Sequence, residues 1–600
     1  MPGPTIHARH DGVRRPYMII AIDFGTTFSG VCWTWSGDLQ HVHTVQSWDD
    51  DTDSAKVPSR IQFDGRVPIA WGFGLEESRT TFEWFKLILD YENLPLEIQS
   101  SQRVQQAHNK LAQWSGEDPT KAAVKVTARY LRMLWKHAIA VIRNQEGQTW
   151  IDGMSCKVVI TRPAIWSNKA SARTRKAAEW AILREQGPFA SIDMQMISEP
   201  EAAAQAILQA PAVARRPDVT RPGDIYLICD AGGGTVDVIS YTVRTLNPLK
   251  LDECVEGNGD LCGAIFVDDA FERDLQIKVG QQNWATLSND ERTRVLDHWE
   301  RNIKRRFDPT RTLRRVIDVP EFGSFTYTHD NIAGLFHTSC TKARVLVKQQ
   351  VDQILLRGTL PKAIVLVGGM GSSKYLAHLL KAEYADRIEI RHSTGFDTWS
   401  AVCRGAVMAV VEYVVVSRIS RLHYGFSYDA VYDANDPEHT IDRVIWDHHE
   451  QRNLVAGKME WVVNKGESIE HINPKRHSAR QYIEFPEEIA YNRFATDIWV
   501  CDRDEAPTWK SSVGQENRPS PGVRLLCRLV SQLDRPFEAL PSFVNPQNIS
   551  YRVVDIDIVM FPNGNALEFA IYFQGRTLPT EVQWPDGGSS GQRVAIEVDD

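Results

Sequence analysis

Two short stretches of this chain share one grammar, and that repetition constrains its fold more than any other feature. Near the start, Ile19-Ile20-Ala21-Ile22-Asp23-Phe24-Gly25-Thr26-Thr27-Phe28-Ser29-Gly30-Val31 passes from an apolar run through Asp, Gly and Thr into a second run. About two hundred residues later, Ile228-Cys229-Asp230-Ala231-Gly232-Gly233-Gly234-Thr235-Val236-Asp237-Val238 does the same. Apolar runs punctuated by glycine read as two strands joined by a tight turn. Residues without Cβ let backbone N–H groups approach an anion closely. An aspartate at the end of the incoming strand would repel a phosphate, so it makes sense there if a hydrated divalent cation lies between them. Alone, such a stretch is more often just an ordinary hairpin. The pair points to two related lobes, each offering one loop to a shared ligand.

Composition sets the outer bounds. Six hundred residues are more than one core can fill, so two or more domains are expected. A net charge of −9 argues against a nucleic-acid binder, which needs a basic face. Nine cysteines, an odd number without paired short spacings, fit reduced thiols. The polar, basic start carries no apolar segment of the secretory kind. The longest apolar stretch, Ala406 to Val416, contains Glu412 and is too short to span a bilayer. The expectation is a cytoplasmic chain, with the nucleus as a second compartment, acting on neither membrane nor nucleic acid.

Two further motifs follow the hairpins. Ile197-Ser198-Glu199-Pro200-Glu201-Ala202-Ala203-Ala204 connects them, and Ile364-Val365-Leu366-Val367-Gly368-Gly369-Met370-Gly371-Ser372-Ser373 comes after the second. In this order and spacing the four motifs resemble the superfamily of actin, sugar kinases and heat-shock ATPases. Within it the likeness is to a divergent branch of the heat-shock seventy-kilodalton chaperones, over roughly Met18 to Val416.

The resemblance implies an α/β fold: a two-lobed actin-like (duplicated ribonuclease H-like) ATPase domain followed by a smaller β-rich domain. Residues 1–17 would be a disordered tail and 18–416 the nucleotide-binding domain. Its first lobe would span about 18–222, its second about 223–395, with a return over 396–416. Residues 417–600 would form the β-rich part, without a helical lid. The implied cofactors are ATP or ADP and Mg²⁺. Gly25, Thr26 and Thr27 would grip the phosphates from one side, and Gly232, Gly233, Gly234 and Thr235 from the other. Asp23, Glu199 and Asp230 would hold the metal, mostly through water. Lys86, with Asp237, would steer the attacking water. Lys304 and Arg305 would hold ribose and adenine, and Gly368 and Gly369 would back the base. Local readings stay open beside these: Lys86 as a solvated surface lysine, Glu199 as a helix-start acid favoured by the dipole.

The chain departs from the family pattern at three places. One extra residue separates Lys86 from the preceding aromatic; Glu300 stands four rather than three residues before Lys304; and Met370-Gly371-Ser372 replaces Ser-Thr-Arg in the adenosine loop. Elsewhere, Val124, Thr127, Leu131, Trp135, Ala138 and Ile142 recur at helical spacing. Ser167 or Asn168 can cap a helix, and Ser288 another whose stripe is Val295, Trp299, Ile303 and Phe307. Pro163 matches a family proline at a corner thought to relay nucleotide state. Beyond Val416, period-two runs such as Arg552 to Val559 and Leu567 to Phe573 suggest a β-sandwich, with Glu505 to Gly522 as a long mobile loop. The function expected is an ATP-hydrolysing, chaperone-like switch whose partners are an unfolded peptide or protein client and cochaperones. The alternatives are a sugar-type kinase of the same fold and a nucleotide-binding pseudo-enzyme scaffold.

Overall fold

The computed structural model describes residues 16–48, 52–75, 80–185, 187–209, 220–392, 396–411, 414–484, 492–513, 518–563, 566–585 and 589–590. Residues 1–15 of the expected tail, 215–219 of the Arg/Pro-rich stretch 215–223 and the acidic end at 597–600 lie outside the described residues, whereas Tyr17, expected in the tail, opens the first strand.

Both Asp-Gly-Thr stretches are antiparallel hairpins. Tyr17–Asp23 pairs with Phe28–Trp35, and Ile225–Ala231 with Val236–Leu246. Each hairpin is extended on its incoming strand by a parallel neighbour. Ser155–Arg162 lies beside Tyr17–Asp23, and Ala363–Val367 beside Ile225–Ala231. The first sheet runs outward through Ser191–Ser198 and has six strands; the second has eight.

Alternation along these strands assigns their two faces. In the first sheet Met18, Ile20 and Ile22 belong to one buried cluster, with helix Pro119–Glu146 and helix Asn168–Ile182. In the second, Ile225, Leu227 and Cys229 pack with helices Ile265–Val279, His329–Leu356 and Lys374–Tyr384. The opposite faces, carrying Ile19 and Ala21 in one sheet and Tyr226 and Ile228 in the other, share a third cluster. Filling it are alanines of helix Glu199–Leu208 and helix Phe396–Val411. The order is therefore helices, sheet, helix pair, sheet, helices, a mixed α/β arrangement.

Local signals account for the element ends. Asp118 caps the Pro119 helix by accepting from the Thr120 and Lys121 amides at 2.8 and 3.1 Å, with proline at the first turn, where no N–H is needed. The stripe expected from Val124 to Ile142 is buried. Ser167 caps the Asn168 helix, and Ser288 with Glu291 forms a reciprocal capping box. The Ser288 helix then changes character. Trp299–Ile303 is a π turn and Lys304–Arg306 a 3₁₀ turn. Apolar residues spaced by four drift around a helix of 3.6 residues per turn; the wider π turn keeps Val295, Trp299, Ile303 and Phe307 all buried.

Past residue 411 the chain continues into the second sheet. Val415–Ile419 pairs in parallel with Leu249–Glu253, and Ser468–Glu470 pairs with it in turn, so residue 416 falls within a strand. The remaining strands form a seven-stranded and a five-stranded antiparallel sheet that share one apolar cluster. Of the segment expected to be a mobile loop at 505–522, Pro507 and Thr508 lie against strand Arg452–Val463. Met459 donates to Thr508 O, and Trp461 Nε1 to Pro507 O, at 2.8 and 2.9 Å. All nine cysteines are buried and unpaired. Among the described residues no helix is long and apolar enough to cross a membrane.

Candidate functional site

Strand parity brings the two aspartates face to face. Asp23 continues the row of Ile19 and Ala21, and Asp230 that of Tyr226 and Ile228, so both lie on the inner faces that flank the helix pair. Glu199 opens the first helix of that pair. The three carboxylates line one cleft of about 1690 Å³.

The loops of the two hairpins touch across this cleft. A Cβ built on Gly233 would lie 2.3 Å from Thr27 Oγ1, and one on Gly234 2.7 Å from Thr26 Oγ1. Only glycine permits that approach. Gly368, at φ +83°, comes equally close to the second hairpin: a Cβ there would be 2.5 Å from Asp230 Oδ1. The Met370 and Gly371 amides donate to Ala231 O at 2.8 and 3.0 Å, stitching their loop to the strand that carries Asp230.

Lys86 is 2% exposed, which removes the surface reading of that residue. Its ammonium donates to Phe24 O at 2.5 Å and to Glu199 Oε1 at 2.8 Å. Gly25, Thr26, Thr27, Gly232, Thr235, Lys304, Arg305, Gly368 and Gly369 also line the cleft. Asp237 stands apart, off the cleft wall. Its Oδ1 accepts from the Ile165 amide at 2.8 Å, while Oδ2 is buried without a hydrogen-bond partner among the described residues.

The spacing change at Glu300 is absorbed by the π turn. Glu300 accepts from Lys304 Nζ at 2.8 Å and from Arg305 Nε at 2.7 Å, so the acid and both cations form one set despite the extra residue. Asp268, in the first turn of the Ile265 helix, accepts from Lys304 at 2.7 Å and from Trp299 Nε1 at 2.9 Å. Lys304 and Arg305 hold Glu300 down at about 2 even though burial opposes its charge. The Arg305 guanidinium stacks over Trp399 at 4.8 Å from the ring centroid.

Sequence reasoning missed three residues of this wall: Asp268, Trp399 and Lys56. Lys56 Nζ donates to Asp23 Oδ2 at 2.5 Å, while Thr161 Oγ1 donates to the other oxygen at 3.0 Å. The only local signal for Lys56 is its place directly before Val57-Pro58-Ser59. Asp268 and Trp399 carry no motif of their own.

The protein-family model that matches the chain is a domain of unknown function, DUF8568, over residues 418–528. The chain is 24% identical to Heat shock 70 kDa protein 12B of Homo sapiens, over 68% of this chain and 71% of the relative. It is 23% identical to Heat shock 70 kDa protein 12A of Homo sapiens over the same shares. The chain is similar to divergent heat-shock seventy-kilodalton proteins. The family resemblance read from the four motifs therefore holds, and the mixed α/β architecture fits it.

The residues present fit a phosphate chain with a hydrated divalent cation. The glycine cradle leaves no room for side chains, and the carboxylates of Asp23, Glu199 and Asp230 on the cleft wall are anionic oxygen donors. Among the described residues no three His, Cys, Asp or Glu side chains converge closely enough to grip an ion directly.

Crowded carboxylates raise one another. Burial pushes Asp230 well above the carboxylate range, reinforced by Glu199, Asp237 and Asp23. Burial likewise lifts Glu199 from its ordinary 4.5 to about 7, against the attraction of Lys86 and with help from Asp23 and Asp237. The sign of the consequence is definite. Between about 4.5 and 7 the folded chain holds a proton at Glu199 that the unfolded chain lacks, so this group's contribution to stability falls as pH rises through that window. Denaturant titrations of wild type and Glu199→Gln at several pH values should diverge there in the variant's favour. Parallel pH profiles would refute this account.

Proposed function

We propose that this chain binds ATP between its two hairpin loops and hydrolyses it, as a chaperone-like switch of the actin-like, two-lobed kind. The observation that carries the reading is the contact of Thr26 and Thr27 with Gly234 and Gly233, beneath two facing aspartates. Loops from two different sheets that meet in this way can hold one phosphate chain from both sides.

Backbone N–H groups of the glycine turns and the hydroxyls of Thr26, Thr27 and Thr235 bind the phosphate oxygens. Asp23, Asp230 and Glu199 would hold Mg²⁺ through water, and the ion would supply neutralising charge to the phosphates. Lys86, fixed by Phe24 O and Glu199, orients the water that attacks the γ-phosphorus and offsets charge as it develops. Positioning and charge, rather than a covalent step, lower the barrier. Lys304 and Arg305 face the nucleoside end of the cleft, with Gly368 and Gly369 behind the base.

Hydrolysis removes a group that both loops touch, and the relative populations of their arrangements change accordingly. A contact route supports transmission toward the strands after residue 416. Asp237 accepts from the Ile165 amide; Ala164 O, next to Pro163, accepts from Arg421 at 3.0 Å; and Arg418 clamps Glu201, on the Glu199 helix, through two bonds of 2.7 Å. Those strands are the part proposed to meet an unfolded peptide client.

Calorimetry with ATP, ADP and GTP, with and without Mg²⁺, tests the binding. Phosphate release with and without an unfolded peptide or candidate sugars tests the reaction. ATP binding with slow, peptide-stimulated release is the expected result. Sugar-dependent ADP formation would replace the switch by a kinase, and absence of nucleotide binding would overturn the reading.

A further inference from the structure

A carboxylate facing a phosphate needs a positive charge between them, and this chain carries one of its own. Lys56 is 8% exposed, lies on the cleft wall, and reaches Asp23 Oδ2 at 2.5 Å. Its four-carbon stem crosses Gly30, the residue opposite Asp23 in the first hairpin. A Cβ on Gly30 would sit 3.2 Å from Lys56 Cγ, so the glycine keeps the stem's path open. An ammonium has three N–H donors, and among the described residues Asp23 is the one acceptor that meets them. A buried ammonium on the cleft wall, with two donors unmet by the described residues, is half of a binding contact.

The remaining charges of the cleft agree. Asp23, Glu199 and Asp230 outnumber Lys86 and Lys56 near the hairpin loops, and Lys86 already gives two of its three donors to Phe24 O and Glu199. Lys56, with one acceptor among the described residues, has the most donors left for a ligand. Resting on the reading of the cleft as a nucleotide site, we propose that Lys56 is a built-in countercation for the bound phosphates. It neutralises Asp23 and donates to a phosphate oxygen, and nucleotide binding thereby depends only weakly on a divalent ion.

The test compares the affinity for ATP in Mg²⁺ with that in EDTA, by calorimetry on the full chain, for wild type, Lys56→Met and Lys56→Arg. Thermal unfolding of each variant controls for folding. Wild type should lose no more than about tenfold in affinity when Mg²⁺ is removed. Lys56→Met, which keeps the apolar stem, should lose a further tenfold or more in EDTA, roughly the worth of one charge-assisted hydrogen bond, and far less in Mg²⁺. Lys56→Arg should recover most of the EDTA affinity. A wild-type loss of a hundredfold or more in EDTA, on the order of two charge-assisted contacts, overturns the proposal even if no variant folds. So does a Lys56→Met protein with the wild-type ratio. Wild type that binds ATP in neither buffer sinks the nucleotide reading itself, a result distinct from either of these.

Discussion

Replacing Asp230 by Asn is expected to lower phosphate release from ATP by about a hundredfold or more while leaving the ligand-free protein at least as stable as wild type. The two halves come from the same crowding. Asp230 is 5% exposed and has Glu199, Asp237 and Asp23 as neighbours, which is why its acid form is favoured without a ligand. An isosteric amide relieves that repulsion, so the unfolding midpoint should hold or rise. The amide also removes the negative charge that a hydrated cation needs, and the phosphate chain loses its neutralising partner. Stability and turnover should therefore move in opposite senses, as at other sites where function is bought with strain. Single-turnover phosphate release and thermal unfolding on the same preparations decide it. Turnover equal to wild type would show that Asp230 does not face a metal.

Gly405→Ala should be strongly destabilising, by about 3 kcal/mol or more, although propensity alone says the reverse. Within a helix, Ala is favoured over Gly by about 1 kcal/mol. Here the added methyl would sit 1.6 Å from Ala202 O and 2.5 Å from its carbonyl carbon. Those are backbone atoms of the Glu199 helix, so no side-chain rotation relieves the clash. The helix pair between the two sheets must separate, and the consecutive buried Ala202, Ala203 and Ala204 would lose their packing. Denaturant unfolding measures the loss; a midpoint at or above wild type would refute such close helix contact. Because Glu199 starts the displaced helix, a variant that does fold should also bind ATP less well.

Much of this was legible along the chain. The hairpins were, because glycine, threonine and aspartate at a strand end are a local pattern that needs no distant partner. Their repetition then pointed to two loops sharing one ligand, and in the folded chain strand parity accounts for the facing of Asp23 and Asp230. Lys56 was not legible. Its meaning lies in a bond to a residue thirty-three positions earlier, and a lysine before Val-Pro-Ser looks like any solvated turn residue. Glu300 failed for a different reason: the extra residue read as a break in the set, whereas a π turn takes it up without moving the acid from its cations. Asp237 shows the converse. Its place in the motif was plain, yet its first oxygen is committed to the Ile165 amide behind the cleft wall.

Strand Val415–Ile419 carries a practical consequence. It covers the side of Leu249–Glu253, and its own outer side is covered by Ser468–Glu470, from beyond the stretch that aligns with the four motifs. Excising the cleft region by cutting before residue 415 would leave a row of unsatisfied backbone groups along a sheet margin, inviting one molecule to pair with the next. The half of the chain that carries the cleft thus borrows its finish from the other half, and neither is simply detachable cargo.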